Sequence, residues 1–307
     1  MNNIDRKTDI DFKVSVCICT RNRPKELNNA LQSVGRSTYP AFEVIVSDDS
    51  TNDETKRLIS SHFPEVKYLD GLRKGLGANR NNVLKAVSGS HVLFIDDDVV
   101  LNENFLEIVC NKLAKLAEQE NLEKLIISGI ENNNGKLVFP GEQSFVGWQN
   151  VRYKKGDIIK TVVINSTLFP ICLFENTLFD DKLVYGNDEV DLTTRAIKKG
   201  FKIILFPEAI NFHFPSEINR DYYLPYKDAT RIYVTFKRYF ATENNKVKAL
   251  IYLPYVLVYT VAFNLRYRGI KGLIFTLRYT YPKCFMLIIG QFLSINSNFK
   301  LKLIRRT

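Results

Sequence analysis

The first hundred residues repeat one pattern: a short apolar run, a polar cluster, then a stretch whose apolar residues recur at helical spacing. Lys13 to Cys19 reads as a strand and runs into Thr20, Arg21 and Asn22. Leu27, Ala30, Leu31 and Val34 then fall at i, i+3, i+4 and i+7, one buried helix face. Phe42 to Ser47 is a second strand ending in Asp48 and Asp49, a helix follows over about 53–62, and a third strand lies near 66–69. After a Gly-rich loop and a helix over about 79–87, the strand His91 to Ile95 runs into Asp96, Asp97 and Asp98. Strands alternating with helices predict an α/β fold: a mixed, mostly parallel sheet flanked by helices in the Rossmann-like manner. In such sheets ligands bind beyond the carboxyl ends of the strands, and each of these polar clusters stands at such an end.

The clusters carry recognisable chemistry. Three adjacent carboxylates repel one another, and a hard divalent cation, Mg²⁺ or Mn²⁺, is the usual remedy. The same residues also suit a solvated turn before the helix near Asn102. Strand alternation turns Asp96 and Asp98 one way and Asp97 aside. Asp49 can accept a base N–H from a nucleotide or serve a turn, since Asp48 to Asn52 is good turn chemistry. Gly75 to Arg80 lacks the third glycine of a dinucleotide fingerprint, which leaves Arg80 near a helix N-terminus as an anion site. Asn187 to Arg195 opens a helix with acids in its first turn, where they complement the helix dipole. Asp191 and Arg195 make an i,i+4 pair, and one of the carboxylates can act as a general base toward a hydroxyl. His213 lies in the apolar stretch Ile210 to Phe214, where a structural role and a metal-ligand role are both open. Cys17 and Cys19 read as core of the first strand; five cysteines without a CxxC spacing exclude a zinc ribbon and read as reduced, cytosolic thiols.

At 45% hydrophobic and 25% charged residues the chain is neither disordered nor fibrous, but its charge is divided unevenly. Residues 216–307 hold 16 Lys/Arg against 4 Asp/Glu, so the whole basic excess of +10 sits in the last third. From Asn244 to Thr307 there are 11 basic residues and no acidic one. Nucleic acid and an anionic membrane surface both attract such a segment. The apolar run Ala249 to Leu265, with 17 uncharged residues, favours the membrane and argues against nucleic acid. It holds Pro254 and Asn264, and its Tyr252, Tyr255 and Tyr259 share one helix face, as in an interfacial helix lying on the surface. Ile270, Leu273, Ile274 and Leu277 share a face of the next helix, with Lys271 and Arg278 at its edge. The competing expectation is a helical cap on the first domain. A polar N-terminus without a secretory signal points to the cytosolic face of the cell membrane, peripherally bound.

Taken in order, the pieces resemble the family 2 glycosyltransferases of the GT-A fold. The resembling text is Val14 to Pro24, Tyr39 to Asp49, Gly77 to Asn81, Val92 to Asp98, Phe179 to Leu183, Asp188 to Leu192, and Pro207 to His213. The resemblance implies a catalytic domain over 1–215 that binds a nucleoside-diphosphate sugar, followed over 216–307 by the basic, aromatic-rich helical region. It implies that Thr20, Arg21, Asn22 and Asp49 line the nucleoside pocket, that Arg80 approaches the nucleotide, and that Asp96 sits near the ribose. Asp98 and His213 would hold Mn²⁺ or Mg²⁺. The family's usual Glu-Asp pair is here Asp188 and Glu189, so the base falls to Glu189, with Asp188 beside it. One base and no covalent nucleophile imply a single in-line displacement with inversion. Trp148, the only tryptophan, and Asp191 are candidate contacts to the acceptor, a glycan or lipid-linked hydroxyl compound of cell-surface polysaccharide synthesis. A metal-dependent nucleotidyltransferase and a membrane-docked scaffold with a relic donor site are the alternatives.

Overall fold

The computed structural model describes residues 11–304, with side chains described as far as Leu293. The first ten residues, on which most of the expectation of no secretory signal rests, lie outside them. The expected alternation is present as β1 (Val14–Thr20), α1 (Pro24–Gly35), β2 (Glu43–Asp48), α2 (Glu54–His62), β3 (Lys67–Asp70), α3 (Leu76–Leu84) and β4 (His91–Asp96). Next come β5 (Val99–Val100), α4 (Phe105–Leu116), β6 (Leu125–Asn133) and β7 (Lys136–Val138). A small hairpin of β8 (Gly141–Gln143) and β9 (Gln149–Arg152) precedes β10 (Thr167–Pro170), α5 (Asp188–Lys198) and β11 (Lys202–His213). The chain ends in α6 (Arg220–Lys237), α7 (Lys246–Phe275) and α8 (Tyr281–Ile304).

The main sheet has the order β3-β2-β1-β4-β10-β6-β11-β5, with β7 added beside β6. β3, β2, β1 and β4 are parallel; β10 is antiparallel to β4 and β6, and β11 returns parallel to β6. Side chains alternate across it as a pleat requires. Val16, Ile18, Leu93 and Ile95 meet α1 and α4 on one face, while Cys17, Val92 and Phe94 meet Val83 of α3 and Leu192 of α5 on the other. Because β2 flanks β1 on one side and β4 flanks it on the other, the order in which successive strands are laid down reverses at β1 and leaves a crevice between strand ends. Register fixes what meets there: Cys19 is opposite Asp96, and Thr20 is opposite Asp48.

The C-terminal helices differ from the expected in-plane pair. Gly269, at φ 62°, breaks α7, a left-handed conformation that suits glycine. Asn264 Nδ2 donates to Thr276 Oγ1 at 3.0 Å, whereas twelve residues of continuous helix would separate them by about 18 Å. The chain therefore doubles back as a helical hairpin. By length and composition Lys246–Leu293 is apolar enough to cross a membrane, but it is not one straight helix.

The tyrosine stripe is divided: Tyr252 turns inward, against the expectation, whereas Tyr259 is half-buried and Tyr255 stays exposed. Tyr252 is fully buried, in a core it shares with Val256, Tyr233 and Tyr239. Tyr255 packs on the Phe145 ring, and Tyr259 stacks on Tyr255 and Phe263. The solvent-facing side is mostly aliphatic, with Val247, Leu250, Ile251, Val258 and Leu265 on the first arm and Ile270, Ile274, Leu277, Met286 and Ile289 on the return, and Tyr255, Tyr267 and Tyr279 exposed among them. The helices both cap the sheet domain and present an apolar face that is left uncovered among the described residues.

Candidate active site

The crevice at the ends of β1, β2 and β4 is a cleft of about 340 Å³, the size of a small-ligand site. Thr20, Arg21, Asp49, Asp96, Asp98 and His213, six of the residues singled out from the sequence, line it together. Its outer wall is α6, whose Tyr222, Tyr223 and Lys227 close over the strand ends. Arg21 lies against Tyr222, its guanidinium 4.2 Å from the ring centre.

Asp49 is held by backbone: its Oδ1 accepts the Arg73 N–H at 2.9 Å and its Oδ2 the Gly75 N–H at 3.4 Å. Burial raises its pKa against those two donors. Gly71 lies so close that an ideal Cβ there would stand 2.1 Å from Asp49 Oδ1. Asn22 is not in the cleft lining. It adopts a left-handed conformation, and its Oδ1 accepts the Thr51 N–H at 2.9 Å, tying the loop after β1 to the loop after β2.

The acidic triplet divides three ways. Strand alternation predicts Asp97 turned aside, but β4 ends at Asp96 and Asp97 lies in the turn, lining the same cleft; its carboxylate accepts from the Thr20 hydroxyl at 2.7 Å and from Arg23 at 2.9 Å. Burial, against the Arg23 charge, pushes its pKa up to about 7. Asp98 faces His213, Nε2 to Oδ1 at 3.2 Å, and accepts the Ser216 N–H at 2.9 Å. His213 reaches this place because β11 pairs with β5, setting it opposite Val99. Its Nδ1 meets the buried Glu131 at 2.6 Å. Burial works against a charged imidazole here, but the hydrogen bonds to Asp98 and Glu131 push its pKa up to about 10.

Asp96 faces both ways. Its Oδ1 accepts from Arg80 at 2.9 Å, and the opposite end of the same guanidinium grips Asp188. Arg80 is only 2% exposed, so the expectation that it meets the nucleotide is corrected. It is a buried clamp joining the end of β4 to the start of α5, because α3 begins at Leu76 and packs on β1 and β2.

A second cavity, also about 340 Å³, opens on the far side of Asp96 and shares Leu76, Asp96 and Tyr185 with the first. Glu189, Asp188 and Gln149 line it. Gly186 and Asn187 both carry positive φ just before α5, and the two acids after them diverge. Asp188 goes inward to Arg80, while Glu189 Oε1 accepts from Gln149 Nε2 at 3.0 Å. Burial and the neighbouring Asp188 carboxylate push Glu189 up to about 7, the range of a working general base.

Asp191 does not join this group. It is 2% exposed and held by Arg195 at 2.7 Å and Lys237 at 2.8 Å, an ion-pair network binding α5 to α6, which corrects its acceptor assignment. Trp148 lies under the Arg231 guanidinium at 4.3 Å and beside Phe263. Sequence reasoning missed Arg23, Tyr185, Glu131 and the α6 residues. Arg23 stands within the polar cluster after β1 and was accessible to it; Glu131 and Tyr223 carry no local signal.

No group of three or more His, Cys, Asp or Glu side chains gathers for a metal ion among the described residues. Asp98 offers an oxygen donor at the cleft wall, and His213 would add a nitrogen donor once a metal displaced the Nε2 proton that faces Asp98. That set suits an ion such as Mg²⁺, which is commonly bound through one or two carboxylates plus substrate phosphates and water.

A mixed sheet whose strand-end cleft shares Leu76, Asp96 and Tyr185 with a second cavity has the architecture of the GT-A fold. The chain matches the model of Glycosyl transferase family 2 over residues 15–180, and it belongs to that family. Among curated relatives, it is 33% identical over 105 residues to the GalNAc(5)-diNAcBac-PP-undecaprenol beta-1,3-glucosyltransferase of Campylobacter jejuni, a match covering 33% of this chain and 34% of that protein. The match thus spans about a third of that relative's length. Among solved structures, Staphylococcus aureus TarS 1-349 in complex with UDP-GlcNAc superposes with a TM-score of 0.57 at 17% identity, over 90% of this chain and 79% of that one. The mannosyltransferase PcManGT of Pyrobaculum calidifontis, in complex with GDP-Man and Mn²⁺, superposes at 0.53 and 15% identity, over 94% and 81% of the two chains.

Proposed function

We propose that the protein is an inverting glycosyltransferase that moves a sugar from a nucleoside-diphosphate sugar to a hydroxyl of a lipid-linked or glycan acceptor in cell-surface polysaccharide synthesis. The observation that carries this reading is the pair of cavities joined at Asp96, one polar and cation-rimmed, the other opening on Glu189. The donor nucleotide occupies the first, with Asp49 accepting from the base and Arg21 and Arg73 facing the diphosphate. Asp98 and His213 would hold a divalent ion, Mn²⁺ or Mg²⁺, which supplies charge neutralisation of the diphosphate when bound. The acceptor enters the second cavity. Glu189 takes its hydroxyl proton as the oxygen attacks the anomeric carbon from the face opposite the leaving diphosphate. Asp188 is the poorer base, since Arg80 neutralises it in a buried ion pair. With one base and no nucleophile of its own at the anomeric carbon, the product is inverted.

The same reading gives residues 1–215 the catalytic role and residues 216–307 a docking role. The aliphatic face of the hairpin lies in a stretch without a single acid, so an anionic bilayer surface complements it in both polarity and charge. The enzyme would rest on the cytosolic leaflet beside its acceptor. Titrating the protein with UDP, GDP and ADP in a calorimeter, with and without Mn²⁺, tests the donor site. Metal-dependent binding of one diphosphate supports it, whereas binding of triphosphates alone would favour nucleotidyl transfer.

A further inference from the structure

A third cavity, of about 520 Å³, lies between the β8–β9 hairpin, α6 and the tip of the helical hairpin. It adjoins the acceptor cavity through Gln149, Gly186 and Asn187, and Tyr185 lines all three cavities. Its walls divide by chemistry. Trp148 and Phe263 supply aromatic surface, their ring centres 5.9 Å apart. Arg231 is already committed, paired with Asp228 at 3.0 Å and lying over Trp148. Lys227 and Arg268 are different: both are exposed cations on the cavity wall and neither makes an ion pair among the described residues. Asn264, 2% exposed, lines the same wall, and its Oδ1 has no hydrogen-bond partner among the described residues. A buried carbonyl oxygen left unmet is costly, and a ligand hydroxyl would satisfy it.

The surroundings say what kind of ligand this is. Arg268 is the last residue before the break at Gly269, and its neighbours Leu265, Tyr267 and Ile270 are 44%, 67% and 70% exposed. An anionic group at Lys227 and Arg268 can send a saccharide inward past Trp148 toward Gln149 and Glu189. It can send an apolar chain outward over Leu265, Tyr267 and Ile270. We propose that this cavity binds the phosphoryl group of an acceptor saccharide joined through phosphate to a lipid. The inference rests on the glycosyltransferase reading and names the acceptor class for it. A phosphate polymer or a free anion would use the same cations but would leave the exposed apolar tip unpartnered.

Trp148 is the only tryptophan, so its fluorescence reports from this wall. The full chain is titrated with farnesyl diphosphate, inorganic diphosphate and farnesol, and separately with nucleoside diphosphates by calorimetry. Farnesyl diphosphate is expected to change the Trp148 signal saturably, with a midpoint about tenfold or more below that of either half-molecule. Arg268→Gln is expected to raise that midpoint about tenfold, the loss of one charge-assisted contact, while nucleoside diphosphate binding keeps its parental affinity. Equal midpoints for farnesyl and inorganic diphosphate would overturn the lipid assignment in favour of a free anion or phosphate polymer. No Trp148 response from protein that still binds nucleoside diphosphate, or an unmoved midpoint in the variant, would overturn the site and leave the transferase reading intact. Failure of the parent to bind any nucleoside diphosphate would sink the transferase reading and this inference with it.

Discussion

Replacing Glu189 by Gln alters the proposed chemistry while keeping the shape of the site. The side-chain amide keeps an oxygen to accept the Gln149 Nε2 bond, now 3.0 Å, so neither packing nor the mouth of the acceptor cavity need change. What is lost is a proton acceptor, typically worth about 10²–10⁴ in rate, or roughly 2.7–5.5 kcal/mol of barrier. Burial and Asp188 raise the Glu189 carboxyl to about 7, and the group works only when deprotonated. Turnover in the parent should therefore fall about tenfold per pH unit below that value and level off above it. In Glu189→Gln the residual rate should lose this acidic limb, with donor binding and thermal midpoint kept. Asp188→Asn is the contrasting change. It leaves Arg80, itself 2% exposed, with Asp96 as its one charged partner, and an uncompensated buried charge costs about 3–5 kcal/mol, here toward the lower end. That variant should melt earlier. The assay is radiolabelled sugar transfer across pH 5–9, about two units either side of the carboxyl value, alongside calorimetric melting. A Gln variant within twofold of parental turnover, or one that keeps the acidic limb, would refute the assignment of Glu189.

Three further outcomes follow from the geometry. Asp98→Asn should abolish the Mn²⁺ dependence of nucleoside diphosphate binding measured by calorimetry; unchanged dependence would remove Asp98 and His213 from the metal site. Gly71→Ala should weaken nucleoside diphosphate binding by about tenfold or more, since the new Cβ would stand 2.1 Å from Asp49 Oδ1 and 2.7 Å from the Asp48 carbonyl and must displace the carboxylate. Parental affinity in that variant would argue against Asp49 as the base-reading group. Leu250→Asp with Val258→Asp should release the protein from phosphatidylglycerol vesicles in a flotation assay without changing its melting. These positions are 76% and 71% exposed, whereas deleting the hairpin would also strip Tyr252 and Val256 from the core. Retention on the vesicles would mean that this face is not the anchor.

Much of the catalytic half was legible because its signals are local. A β-run has period two and a helix face has period 3.6, so the placement of β1, α1, β2 and β4 needs only neighbouring residues. The rule that ligands sit beyond parallel strand ends then turns Thr20, Asp49, Asp96 and Asp98 into a site without any coordinate. The net charge of the last third is likewise a property of composition alone.

Tertiary structure decided whatever depended on which partner a group met. Arg80 and Arg23 are alike in sequence, yet Arg80 is clamped between Asp96 and Asp188 at the wall of the second cavity while Arg23 reaches Asp97 and Asp98 at the cleft. Asp188 and Glu189 are adjacent, and only the left-handed turn at Gly186 and Asn187 sends one to a guanidinium and the other to the acceptor cavity. Helical spacing put Tyr252, Tyr255 and Tyr259 on one face but could not say that Tyr252 is buried while Tyr255 stays exposed; that depended on Phe145, about a hundred residues earlier in the chain, and on Tyr239. The sequence by itself determined periodicity, charge and the residues at strand ends, because each is set by a few neighbouring side chains. Burial, ion-pair choice and the direction a helix face points were left to the tertiary fold, because the energy of a charge or an apolar surface is fixed by what lies across the gap.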